Sequence, residues 1–186
     1  MTEFKKEQKV DLIGPLGNAF TLPPPSFPSY NILIGGGVGI VSLVPLAEKL
    51  KSQKLYIFIG GKTRHDILCK EELQKWTPHI FIATENGSLG FKGTVIDLFK
   101  LRSKDLNPKD LYYLYGCGPY PMLRELAGID QCRRFISQVS LEARMACGFG
   151  ACWGCVVKTQ DPKVPYQRVC KEGPVFNLYD ICWESS

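Results

Sequence analysis

An α/β fold with a mostly parallel sheet, followed by a small cysteine-rich segment, is what this sequence predicts. Short apolar runs bounded by glycine alternate with stretches of helical spacing, which is the pattern of buried parallel strands joined by crossover helices. From Ser140 onward that period stops, and "MACGFGACWGC" packs three cysteines and three glycines into residues 145–155. These two patterns divide the chain into an α/β unit over residues 30–139 and a metal-organised unit over 140–186, with 1–29 as a leading segment.

The elements follow in order. "KVDLIGPLGNAFTL" reads as a strand, a Gly-Pro turn and a short return. "PPPSFPSY" is an extended proline-rich linker without internal hydrogen bonds. "NILIGG" is a buried strand, and "VGIVSLVPLAEKLK" places apolar residues at helical spacing. "KLYIFIGG" and "HIFIAT" repeat the strand signal, with helical "DILCKEELQKW" between them. "TVIDLFKL" predicts a helix, "DLYYLYG" a strand, and "PYPMLRELAG" a helix with Pro121 in its first turn. "RRFISQVSLE" closes the α/β pattern with a further strand.

Composition excludes several classes. A 45% hydrophobic and 22% charged chain of 186 residues is an ordinary globular composition. No apolar run reaches the roughly 18 residues of a membrane span, and the polar start "MTEFKKEQKV" is no signal peptide. The net charge of +5 is spread along the chain rather than gathered in a basic stripe, which argues against nucleic-acid binding. Eight cysteines without a secretion signal point to a reducing, cytoplasmic setting. His65 and His79 both lie far from the cysteine cluster, so neither a Cys/His zinc finger nor a Cys–His dyad is supported.

Four cysteines, Cys147, Cys152, Cys155 and Cys170, are spaced C-x4-C-x2-C-x14-C, while Cys69, Cys117, Cys132 and Cys182 are dispersed. Structural zinc takes its thiols as two close pairs on two knuckles. Here three lie on one loop and the fourth arrives from downstream, the plant-type ferredoxin arrangement for a [2Fe–2S] cluster. Gly148, Gly150, Ala151 and Gly154 leave the backbone N–H groups free to approach the sulfurs, with Trp153 over the cluster edge or on the surface. The alternatives are four ordinary buried cysteines or a zinc-stabilised, nucleotide-binding regulator.

"ILIGGGVGIVSL" runs from strand through glycines into helix, so Gly35, Gly36, Gly37 and Gly39 are candidates to meet a nucleotide phosphate. As a G-x-G-x-x-G match it is incomplete, because Ile40 holds the third position. The acid expected some 20 residues on is absent; the second strand ends in "GGKTRH", where Lys62 and Arg64 suit a 2′-phosphate. "YGCGPYPML" is a second strand-to-helix turn, with Gly116, Cys117, Gly118 and Pro119 at the carboxyl edge of the sheet. No residue is placed for acid–base chemistry on a substrate, so no catalytic residue is assigned.

"SLEARMACGFGACWGCVV" and "QRVCKEGPVF", with "GPLGNAF", "GGGVGI", "ENGSLGFKG" and "YGCGPYPML" in the same order, resemble the electron-transfer subunit of type B dihydroorotate dehydrogenases. The resemblance implies a ferredoxin-reductase-like fold carrying FAD and a [2Fe–2S] cluster. It implies electron transfer between NAD and an FMN-containing catalytic subunit, in a hetero-oligomer that oxidises dihydroorotate in pyrimidine biosynthesis. By position it makes Cys147, Cys152, Cys155 and Cys170 the cluster ligands, puts the Gly35–Gly39 turn on the pyridine nucleotide, and puts the Cys117–Pro119 turn near the nicotinamide. It favours NAD where Lys62 and Arg64 suggested NADP. Family members begin with a flavin-binding β-barrel bearing an R-x-[YLI]-S-like motif; here only "KVDLIGPLGNAF" is expected to remain of it, so FAD binding depends on what completes that site. "GIVSL" departs from the family at Val41 and Ser42. Another flavin and iron–sulfur reductase of the same superfamily is the alternative within this class.

Overall fold

Seven residues from Tyr30 to Gly36 form β1, and all but the first are buried. The structure, a computed structural model, describes residues 5–24, 28–129 and 135–183. β1 lies at the centre of a seven-stranded sheet, paired in parallel with β2 (Lys54–Gly61) on one side and β5 (Tyr112–Cys117) on the other. β3 (Ile80–Thr84) and the short β4 (Phe91–Lys92) extend the sheet beyond β2. β6 (Phe135–Ser140) pairs in parallel with β5, and β9 (Val175–Asn177) closes that edge antiparallel to β6. A two-residue strand such as β4 is too short to leave a periodicity, which is why it was not expected.

Successive strand residues point to opposite faces, so each β-strand feeds two cores. Ile32, Ile34, Phe58 and Leu114 pack one face against α3 (Val95–Ser103) and α4 (Tyr120–Ile129). Leu33, Ile57, Ile59, Tyr113 and Tyr115 pack the other against α1 (Gly39–Lys49) and α2 (Lys70–Leu73). Pro45 sits inside α1 on its exposed side, so the carbonyl one turn earlier receives no amide from that position. The helix expected over "DILCKEELQKW" is a single turn of 3-10 helix at Arg64–Asp66 and then the four residues of α2. The two are separated by Cys69, whose positive φ of 56° breaks the helical path.

The cysteine-rich segment is continuous with the first of these cores. Leu141, Cys155, Val169, Cys170, Phe176, Leu178 and Ile181 belong to the same buried cluster as Ile34 and Leu114. Its own hairpin, β7 (Val156–Lys158) with β8 (Tyr166–Arg168), stands apart from the main sheet. No helix among the described residues is long and apolar enough to cross a membrane.

The strand and return expected from "KVDLIGPLGNAFTL" are not formed: residues 5–24 contain no strand. A strand needs a neighbour to take its N–H and C=O groups, and this segment has none along Val10–Leu16. Leu12 and Ile13 are 89% and 75% exposed. The chain is tied down only further on. Asn18 donates from Nδ2 to the carbonyls of Glu172 (2.8 Å) and Val175 (3.0 Å), and its Oδ1 accepts from the Val175 amide (2.9 Å). Thr21 exchanges two hydrogen bonds with the Gln138 side chain. Replacing Asn18 by alanine is expected to cost roughly 0.5–1.5 kcal/mol, because partly exposed hydrogen bonds to Glu172 and Val175 are lost. It should also speed limited proteolysis within residues 5–17, and unchanged digestion would show that the side chain is not what holds the segment. Of the proline-rich linker, residues 25–27 lie outside the described residues, as do Cys132 and the arginines ahead of Phe135.

Candidate functional site

The strand order reverses at β1, and a cavity of about 550 Å³ opens at the carboxyl ends of the strands there. That is where open α/β sheets bind ligands, and the volume suits one of cofactor size. Its wall includes Gly36 and Gly37 from the β1–α1 turn, Gly60, Gly61 and Lys62 after β2, and Pro119 and Met122 at the start of α4. α1 begins with Val38, which supplies no side-chain cap, and no acid stands in its first turn. Its first amides therefore have no side chain competing for them.

The other predicted glycines lie beneath this wall. A Cβ on Gly35 would stand 2.6 Å from the Ile40 side chain, and one on Gly39 would stand 2.5 Å from the Cys117 carbonyl. A Cβ on Gly116 would press on Val139 and Leu123. They let the two turns close on each other, while Gly37, at φ +54°, makes the bend itself. Cys117 is buried under the turn; burial pushes its thiol up, and the hydroxyls of Ser42 and Ser140 bond to it.

Sequence reasoning missed Asp66, Glu85, Thr94 and Glu125 on the cavity wall. The signal for two of them was a capping box. Thr63 with Asp66 closes the 3-10 turn, and Thr94 with Asp97 closes the start of α3. Bonds from the Thr63 amide and hydroxyl hold the Asp66 carboxyl below its ordinary value; the Thr94 hydroxyl and amide do the same for Asp97. A depressed carboxylate contributes stability above its ordinary value of 3.8 and loses it as pH falls through the lower, folded value. Thr94→Ala is therefore expected to cost about 0.5–2 kcal/mol near neutral pH. The gap from the parent should close in urea titrations carried out progressively below pH 3.8; a gap independent of pH would exclude the carboxylate.

β6 connects this cavity to the cysteines. Ser140 is in register with Cys117, and the chain runs from it through Leu141–Ala146 into Cys147. The Ala151 and Cys152 amides donate to Cys147 Sγ at 3.3 and 3.4 Å. The Gly154 amide donates to Cys152 Sγ and the Cys170 amide to Cys155 Sγ, each at 3.4 Å. Such bonds favour thiolates. The amides of Cys152 and Phe149 bring the Cys147 thiol down to about 6. Gly148 and Gly150, at φ +75° and +91°, give the loop the turns that aim these amides inward.

The donor set fits an iron–sulfur cluster. The cysteines fall into two pairs, the Cys152 amide bonding to Cys147 Sγ and the Cys170 amide to Cys155 Sγ. Two irons taking two thiolates each suit that arrangement. Cys155 and Cys170 are buried, and Cys152 is exposed at the tip of the loop. Trp153 is 53% exposed, so it lies on the surface, stacked beneath Arg168.

The family model for the iron–sulfur cluster binding domain of dihydroorotate dehydrogenase B matches residues 142–182, and that for the oxidoreductase NAD-binding domain matches residues 33–127. The electron transfer subunit of dihydroorotate dehydrogenase B (NAD(+)) from Desulforamulus reducens is 37% identical over 99% of this chain and 70% of its own length. The chain belongs to the dihydroorotate dehydrogenase B electron-transfer subunit family. The subunit of the same name from Caldanaerobacter subterraneus is 38% identical over 95% of this chain and 67% of its own. Among solved structures, the NADH-dependent reduced ferredoxin-NADP oxidoreductase, described for flavin-based electron bifurcation, superposes with a TM-score of 0.71. It is 28% identical over 94% of this chain and 60% of that one. This chain thus matches both an NAD-binding and an iron–sulfur cluster binding domain.

Proposed function

We propose that this chain is the electron-transfer subunit of a cytoplasmic dihydroorotate dehydrogenase, passing electrons between NAD at the cavity and an FMN-containing catalytic subunit through a [2Fe–2S] cluster held by Cys147, Cys152, Cys155 and Cys170. The observation that carries this reading is the continuity of β6, which leads from the nucleotide turn at Cys117 and Ser140 directly into the cluster loop. The cavity would take the nucleotide phosphates on the first amides of α1 and orient the nicotinamide toward the Cys117–Pro119 turn. Pro119 and Met122 close one side of it against water. Residues 1–29, 30–139 and 140–186 would serve as leading segment, nucleotide unit and cluster unit.

A flavin, when bound, supplies the exchange between two-electron hydride transfer and one-electron transfer. Oxidation of dihydroorotate releases two electrons and two protons; NAD takes both electrons and one proton, and the other proton goes to solvent. The chemistry on dihydroorotate belongs to the partner. Exposed Met145, Phe149 and Trp153 on the cluster loop give it an apolar surface on which to seat.

The test is anaerobic co-purification with the FMN subunit, followed by assay of iron and acid-released flavin. About two irons per chain, FAD and co-elution are expected. Zinc in a colourless protein would instead support the nucleotide-binding regulator. A second reading, a reductase serving a ferredoxin-like partner, is favoured by Lys62 on the cavity wall, a cation suited to a 2′-phosphate. Preference for NADP, with no co-elution, would decide for it.

A further inference from the structure

The cluster loop is pinned by one guanidinium. Arg168 ends β8, two positions before Cys170, and its side chain is only 14% exposed. Nη1 donates to the Gly150 carbonyl at 2.6 Å, Nε donates to Glu172 Oε2 at 3.0 Å, and Nη2 donates to Glu172 Oε1. Glu172 Oε2 also accepts the Arg168 amide at 2.8 Å. The flat face of the guanidinium lies over the Trp153 ring, 4.3 Å from its centroid. Trp153 has a φ of +56°, an uncommon conformation for a bulky residue. The stack therefore holds the backbone between Cys152 and Cys155 in a shape it does not favour alone.

Two consequences reach the sulfurs. The peptide held through the Gly150 carbonyl follows the one whose amide bonds to the Cys170 thiol. The guanidinium is itself held against the loop, bonded to the Gly150 carbonyl and two positions along the chain from Cys170, so its charge lies beside the proposed ligands. A reduced cluster carries one more negative charge than an oxidised one, so a fixed cation beside it favours reduction and a fixed anion opposes it. Net charge and hydrogen bonds at the sulfurs are what set iron–sulfur potentials. The pair as it stands nearly cancels in charge, and each half alone would not.

We propose that Arg168 and Glu172 are positioning residues that set the reduction potential of the cluster, Arg168 raising it and Glu172 lowering it, with Trp153 as the platform that fixes the guanidinium. This rests on the reading of Cys147, Cys152, Cys155 and Cys170 as cluster ligands. Arginine is required because one planar fork must meet a carboxylate, a carbonyl and an indole face together; a lysine carries the charge without that geometry.

The test is a redox titration of the cluster, followed by its electron paramagnetic resonance signal, in the complex with the catalytic subunit. The proteins compared are the parent, Arg168→Gln, Arg168→Lys and Glu172→Gln. At a fixed solution potential the ratio of reduced to oxidised cluster should fall about tenfold in Arg168→Gln, a 59 mV shift for one electron. It should rise in Glu172→Gln, which is nearly isosteric. Arg168→Lys should lie between the parent and Arg168→Gln. Shifts of opposite sign cannot come from a loosened loop, which would move both variants the same way. Equal potentials, or shifts of one sign, in variants that keep the parent's iron would overturn the proposal. If Arg168→Gln loses its iron, Glu172→Gln decides alone: a raised potential supports the assignment and an unchanged one refutes it. A parent with no iron would refute the ligand reading itself, and the tuning role with it.

Discussion

Replacing Cys170 by serine is expected to strip the protein of its iron, from about two atoms per chain to near zero, with loss of the visible absorption. Cys170 is the proposed ligand that comes from outside the loop. It is buried, its amide bonds to Cys155 Sγ at 3.4 Å, and its neighbour Val169 is wholly buried in the core. A serine hydroxyl there offers a harder, less readily ionised donor at a place that cannot shift toward the metal. Circular dichroism should show the sheet intact, because the strands are formed by residues elsewhere. Cys69→Ser, at the start of α2 and outside the cluster, should keep the parent's iron. Full iron in Cys170→Ser, or equal loss in both variants, would remove Cys170 from the ligand set.

The second large effect is at the glycine turns. Gly39→Ala places a methyl 2.5 Å from the Cys117 carbonyl oxygen and 2.7 Å from Gly118 Cα. Both are backbone atoms at the end of a central strand, so neither can swing aside. The β1–α1 and β5–α4 turns must separate, at a cost of about 1–3 kcal/mol. In a chain of this size that is a fall in melting temperature of roughly 2–12 °C. Because those turns supply Gly37 and Pro119 to the cavity wall, NAD affinity should fall at least tenfold, measured by calorimetric titration. Gly36→Ala is the informative contrast. Its methyl would meet the Met122 side chain at 2.5 Å, which is flexible and can rotate away. A smaller loss of stability is expected there, and an equal loss would show that backbone crowding is not the cause.

Much of this was legible before any coordinates. The strands at 30–36, 54–61, 80–84 and 112–117 announce themselves as apolar runs closed by small or polar residues, because strands buried on both faces have no polar side to show. α3 was expected over "TVIDLFKL", though the Thr94–Asp97 cap that starts it went unread. The ligand spacing was legible because three thiols on one loop is a local pattern. β4 and β7–β9 were not, since strands of two or three residues carry no period and are selected by their neighbours. The segment around Leu12 and Ile13 misled for the converse reason: its alternation suits a strand, but no ladder partner is there to accept it.

The sequence by itself determined the parallel sheet, the cofactor classes and the family, because apolar period, glycine placement and cysteine spacing are properties of neighbours along the chain. Only the tertiary structure decided which glycines wall the cavity and which merely let two turns meet. It alone brought Arg168 onto Trp153, Gly150 and Glu172, joined the cluster segment to the sheet through β9, and tied the leading segment to that strand through Asn18. Those arrangements depend on distances between residues far apart in sequence, and such distances are set by packing, to which no local pattern has access.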